Sequence, residues 1–250
     1  MYKRRLVSFN NIPFLPIDAA YEMSVEAHTS TLDIGGTTGE YDLLEGEQVL
    51  KNQTYSVEFA HIVNEGCSYP ASVDELRGQV GKWGTLRAMF GTSCRQATAK
   101  IIAIEDTTTS ADVRTGTYRI KCKFVARPYW FEDNQAVVQF TNKTRVICHN
   151  AGNALSTDIE ITITSVITPA LIITNTTTGE TVTYDTSKAV GLSLVFSCKS
   201  GVVLLNGVNA YGNILLPDTQ MSLMTLAPGE NNLTFSVLAT GVVSYRSCWV

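Results

Sequence analysis

The chain has 250 residues and a formal net charge of −4, a balance that sets up no overall field to draw it to nucleic acid or an anionic membrane surface. Its hydrophobic fraction of 44% allows a sizeable core in one large or two small domains, and no run approaches the roughly 18 apolar residues that span a bilayer. The basic start, Lys3-Arg4-Arg5, leads into Asn10, Asn11, Pro13, Pro16 and Asp18 rather than a continuous apolar segment, so it is not read as a secretion signal and a soluble, cytoplasmically made product is expected.

In chain order, Gln53–Ala60 alternates polar and apolar residues with aromatic and β-branched content, the pattern of a half-buried strand. One helix is predicted from Ser72, where Ser72 caps and Glu75 completes a capping box. Val73, Leu76, Val80 and Trp83 fall on its buried face, and Gly84 stops it. Lys100–Ile104 and Thr117–Ala126 follow as strands, joined by a polar loop over 107–112. The second carries Tyr118, Ile120, Cys122 and Phe124 on one face and Arg119, Lys121 and Lys123 on the other. That row of cations reads as a solvated face, or as one that opposes an acidic partner. Pro128 then precedes Tyr129-Trp130-Phe131, an aromatic plug between two lobes, and the composition shifts at Glu132-Asp133-Asn134-Gln135.

After that shift, Thr, Val, Ile, Leu, Asn and Gly dominate. Strands are predicted at Ile159–Ile163, Ala170–Asn175, Thr181–Tyr184, Leu192–Phe196 and Val202–Leu205, each bounded by turn residues. Short strands about ten residues apart indicate a β-sandwich. Asn206-Gly207 between apolar runs marks a hairpin, because both residues tolerate positive φ. Pro228-Gly229 marks another turn, followed by Asn231 and an alternating strand at Leu233–Val237.

These features resemble siphophage distal tail proteins. The strand, helix, strand, strand order ending in Arg127-Pro128-Tyr129-Trp130-Phe131 is similar to a first domain that commonly ends in "D-P-Y-F/W", with Arg127 where Asp is usual. The Asn150-Ala151-Gly152-Asn153 opening, the spacing around Pro169, Asn175 and Gly179, the Asn206-Gly207 hairpin and the "L-x-P-G-x-N" turn holding Pro228, Gly229 and Asn231 resemble the second domain. The resemblance implies a mainly β chain with one helix and a last, basic-aromatic strand over Val242–Val250. Residues 1–133 would form an N-terminal β-barrel or sandwich-type α+β ring domain, and residues 134–250 a C-terminal galectin-like β-sandwich. It implies a virion structural protein at the tip of a long phage tail, assembled in the host cytoplasm. Six copies would form a ring joining the tail tube protein to the tail hub or tail-associated lysin protein and the tail fibres. Tape measure or receptor-binding proteins are further partners, and DNA passes through the lumen without sequence recognition.

No chemistry competes strongly with that reading. Neither GxSxG, HExxH nor a phosphate-binding glycine loop is present; Asp33–Gly39 lacks the Lys-Ser/Thr of a P-loop. The carboxylate neighbours Glu45/Glu47 and Asp74/Glu75 read as surface charge rather than a glycosidase pair. His28, His61 and His149 are isolated. The cysteines Cys67, Cys94, Cys122, Cys148, Cys198 and Cys248 read as free, mostly buried thiols, and Cys148-His149 points its two side chains to opposite faces of a strand. No catalytic residue, cofactor or metal is expected. The alternative is a carbohydrate-binding β-sandwich adhesin using Tyr211, Tyr245 or Trp249, and a third possibility is a hydrolase with its site split across both lobes.

Overall fold

The computed structural model describes residues 4–13, 52–62, 71–164, 170–185, 193–218, 220 and 222–250. The chain divides into two units, Met1–Trp130 and Phe131–Val250. His28, the Asp33–Gly39 loop, Glu45/Glu47, Cys67 and Pro169 lie outside the described residues, as do the side chains of His61 and Ser72 and hence the expected cap of the helix.

The first unit runs β1 (Arg4–Phe9), β2 (Ile12–Pro13), β3 (Gln53–Ile62), α1 (Ala71–Arg77), β4 (Trp83–Phe90), β5 (Ser93–Asp106), α2 (Ser110–Arg114) and β6 (Thr117–Ala126). Its strands pair antiparallel in the order β2-β1-β4-β5-β6-β3. Asn10 and Asn11 hold φ of 48° and 64°, closing the two-residue β1–β2 hairpin in the turn type that matches strand twist. The core face is set by period-2 alternation. Leu86, Ala88, Ala97, Ala99, Ile101, Ile120, Cys122, Phe124, Tyr55 and Val57 are all buried. Trp130 closes this core, donating its indole N–H to the Tyr55 hydroxyl at 3.0 Å and meeting the Tyr55 and Phe90 rings edge-on.

Three expectations need correction here. The helix is shorter than its apolar spacing implies. Val73 and Leu76 are buried, but α1 stops at Arg77, and Val80 and Trp83 are 44% and 48% exposed. Gly78 weakens the helix, and Gly81, at φ 81°, turns the chain so that its N–H bonds Ile101 O. Trp83 and Gly84 therefore open β4 instead of ending a helix. A second helix, α2, stands in the expected polar loop, because Thr109 and Asp112 form a reciprocal capping box. The aromatic plug is buried only at Trp130; Tyr129 is 41% exposed.

A three-residue strand, β7 (Trp130–Glu132), crosses the division. The second unit continues with β8 (Ala136–Asn150), β9 (Ile159–Ile163), β10 (Leu171–Asn175), β11 (Thr181–Tyr184), β12 (Leu194–Ser197), β13 (Val202–Leu205), β14 (Val208–Asn209), β15 (Ile214–Leu215), β16 (Gly229–Tyr245) and β17 (Cys248–Trp249). Its organising element is the long ribbon of β8 and β16. The first half of β16 pairs with β10, leading to β11 and β15. Its second half pairs with β9, leading to β12, β13 and β14. Between Thr234 and Gly241 the register against β8 shifts, so the ribbon bends where it passes from one half-sheet to the other. The halves face each other across one core. Leu171, Ile173, Val182 and Tyr184 come from one side, and Ile161, Ile163, Phe196 and Val203 from the other. The Tyr184 and Phe196 rings meet edge-on at 6.4 Å. This is the β-sandwich that the strand spacing implies. The two closing strands predicted at Leu233–Val237 and Val242–Val250 are one 17-residue strand to Tyr245 followed by β17.

Candidate functional site

Among the described residues, no group of three or more His, Cys, Asp or Glu could hold a metal ion. Cys94, Cys122, Cys148, Cys198 and Cys248 are free thiols, and burial pushes Cys122, Cys148, Cys198 and Cys248 up to about 12, so they stay protonated and unreactive at neutral pH. Asp74 and Glu75 are exposed on α1. A depression of about 250 Å³ in the second unit is lined by Leu205, Val208, Asn209, Ala210, Gly212 and Asn213, with no ionisable side chain. Of the three aromatics that a sugar platform could use, Tyr245 is buried and its hydroxyl oxygen accepts from His149 N, Trp249 is half-buried, and Tyr211 is exposed.

What the molecule builds instead is a set of fixed surfaces. The cation row on β6 is answered from within its own unit. The Lys123 ammonium donates to Glu105 at 2.6 Å and the Arg119 guanidinium to Asp112 at 2.9 Å, while Lys121 stands opposite both Glu58 and Glu105 in register. The Thr109 hydroxyl and then Arg119 hold the Asp112 carboxyl down at about 2, and Lys123 lowers that of Glu105. This row is thus a paired charged face, not an unopposed one.

The turn residues singled out in the sequence sit at the ends of the sandwich. Asn206 and Gly207 take φ of 50° and 81° between β13 and β14. Asn206 also exchanges hydrogen bonds with Ser193, its N–H donating to Ser193 O and its side-chain oxygen accepting from Ser193 N. Pro228 precedes Gly229, whose φ of 88° starts β16. Asn231 is fully buried. Its side-chain oxygen accepts from Ala227 N at 2.8 Å, and its amide donates to Ala227 O at 2.7 Å and Gly229 O at 3.0 Å.

Two more buried asparagines extend this scheme, and sequence reasoning did not assign them the role. Asn175 donates to Thr225 O and to the Asn231 side-chain oxygen while accepting from Thr177 N. Asn150 donates to Ala154 O and Leu226 O and accepts from Gly152 N and Cys248 N. Each replaces water for backbone groups that a loop cannot satisfy by itself. Glu180 adds a fourth clip, accepting from Thr225 N, Thr225 Oγ1 and Thr178 Oγ1. Asp158, nearly buried, takes Lys199 at 2.7 Å and Arg246 at 3.2 Å. The loop from Ser222 to Ala227 is therefore held from several sides, which suits a scaffold more than a mobile catalytic lid.

Comparison with known proteins agrees. Residues 150–249 match the family model described as siphovirus-type tail component, C-terminal domain. No curated protein matches the chain. Among solved structures, the chain is similar to SPP1 Dit (gp 19.1), with a TM-score of 0.63 and 12% identity, covering 99% of this chain and 100% of that one. At that identity the likeness shows a shared fold. A chain of the phage P2 baseplate in its activated conformation with Ca is similar at a TM-score of 0.46 and 11% identity, covering 98% of this chain and 90% of that one. The resemblance to siphophage distal tail proteins read from the sequence motifs is borne out by the family match and the SPP1 Dit fold.

Proposed function

We propose that this tail component is a subunit of the tail tip of a long-tailed phage. Six copies form a closed ring through residues 1–133, between the tail tube above and the hub or tail-associated lysin protein and tail fibres below. Residues 134–250 form the outer, galectin-like sandwich, and DNA passes through the lumen. The observation that carries the reading is the tail-component match of residues 150–249, in a chain that shares its fold from end to end with SPP1 Dit. That relative is described as a paradigm of the hub adsorption apparatus in phages infecting Gram-positive bacteria.

The physical features support a geometric role. The second unit spends its buried polar groups on pinning loops, and rigid loops on a rigid sandwich present the same surface in every copy. A sandwich carried on a symmetric assembly needs that constancy, because each copy must offer its partner the same surface. Light scattering on the purified chain over a concentration series tests the assembly. Six copies of 27.3 kDa give a species near 164 kDa, whereas a single 27.3 kDa species at all concentrations contradicts it.

A further inference from the structure

One patch of the first unit has the composition of an interface. On the outer face of β4–β5, Trp83 is 48% exposed and stands opposite Lys100 in register, and Ile102, at the bulge of β5 two residues farther along the strand, is 45% exposed. The Lys100 ammonium lies 5.5 Å from the centre of the Trp83 ring and the Arg127 guanidinium 5.6 Å. Unlike Lys123 and Arg119, Lys100 and Arg127 form no ion pair among the described residues. An exposed Trp flanked by Arg and Lys, beside an exposed Ile, is the mixture found at the energetic centre of protein interfaces. The two cations already hold the indole ring, which disfavours a stacked base as the occupant.

The complementary surface is on helix α1 of the same unit, which buries Val73 and Leu76. Its solvent side presents Asp74 and Glu75. Asp74 faces Arg77 at 3.5 Å, while Glu75 has no ion-pair partner among the described residues. A basic, apolar patch and a separate pair of carboxylates are what a head-to-tail contact between identical copies needs, and such contacts close into rings. We infer that the Trp83–Lys100–Arg127 face of one copy docks against the α1 carboxylates of the next.

This contact rests on the ring proposed above. It is tested on the full-length protein with two charge reversals, Lys100→Glu with Arg127→Glu and Asp74→Lys with Glu75→Lys, and with all four changes together, each followed by light scattering and thermal melting. Each pair should raise the concentration at which the hexamer half-dissociates by about tenfold or more, with the melting curve of the subunit unchanged. The fourfold variant, which restores opposite charges across the contact, should recover most of the loss. Ile102→Glu, which alters no cation, should also weaken assembly. A hexameric wild type whose reversals remain hexameric overturns the contact and leaves the ring standing. Loss without recovery in the fourfold variant overturns the pairing of these two surfaces. A wild type that stays at 27.3 kDa throughout overturns the ring and the contact together.

Discussion

Replacing Gly241 by alanine is expected to lower the melting midpoint of the full-length protein by roughly 5–15 °C. Gly241 lies where β16 leaves its irregular stretch and pairs with both Ile163 of β9 and Phe140 of β8. A Cβ there would overlap the Thr162 carbonyl oxygen and crowd the Thr162 carbonyl carbon and the Ile163 backbone. Backbone in the middle of a three-strand junction has no flexible end to move aside, so the strands must separate. The cost is about 2–4 kcal/mol. Gly212 supplies the control: a Cβ at that position meets nothing within 4 Å, and alanine there should leave the midpoint unchanged or slightly raised. Calorimetry on both variants checks the pair. Equal midpoints would show that the β8–β16–β9 junction yields more easily than its geometry implies.

The second large effect is expected at Asn231. Truncation to alanine removes the partner of Ala227 N, Ala227 O, Gly229 O and the Asn175 amide, all within 3.1 Å of its side chain. Because Asn231 is fully buried, water cannot replace it without opening the loop. Each unpartnered buried group costs about 1–3 kcal/mol, and sharing among neighbours leaves an expected loss of about 3–5 kcal/mol. Asn231→Asp sharpens the assignment. The carboxylate would keep the bond from Ala227 N but face two carbonyl oxygens where the amide donated. Its carboxyl should therefore be pushed up by burial, and stability should rise as the pH falls and that group takes a proton. Urea titrations of both variants at neutral and acidic pH provide the check. An Asn231→Asp protein as stable at neutral pH as the wild type would show that the network does not constrain this turn.

Much of this architecture could be read from the residues, for identifiable reasons. Strands such as Thr117–Ala126, Ile159–Ile163 and Thr181–Tyr184 keep strict alternation between a buried and a solvated face, so their bounds are visible in the pattern. The Asn206-Gly207 turn is visible because few residue pairs accept two positive φ values. Asn10-Asn11 carries the same signal, although in the sequence it reads first as a break in the apolar run that follows the basic start. Strand β8 was harder to find. From Thr141 to Arg145 every side chain is exposed, and its pairing is dictated by β16, almost a hundred residues away in sequence. No local pattern carries that information. The helical spacing of Val73, Leu76, Val80 and Trp83 misled for a related reason: a face at period 3.6 survives in the sequence even where two glycines end the helix after two turns.

The functional surfaces divide along the same line. The motif asparagine at 231 stood out by its turn, but the reason for its position is a buried network with Asn175 that only the fold brings together. The cation row on β6 was legible as a row. Its neutralisation by Glu58, Glu105 and Asp112 depends on β3, β5 and α2 meeting it in space. The patch around Trp83 is not legible in the sequence, because the residue's spacing fits a helix core, whereas β4 leaves its ring 48% exposed.

Electron microscopy of the purified full-length protein tests the ring most directly. Class averages with six-fold symmetry around an open centre are the predicted result. Particles the size of one chain, or closed assemblies of another symmetry, would contradict it.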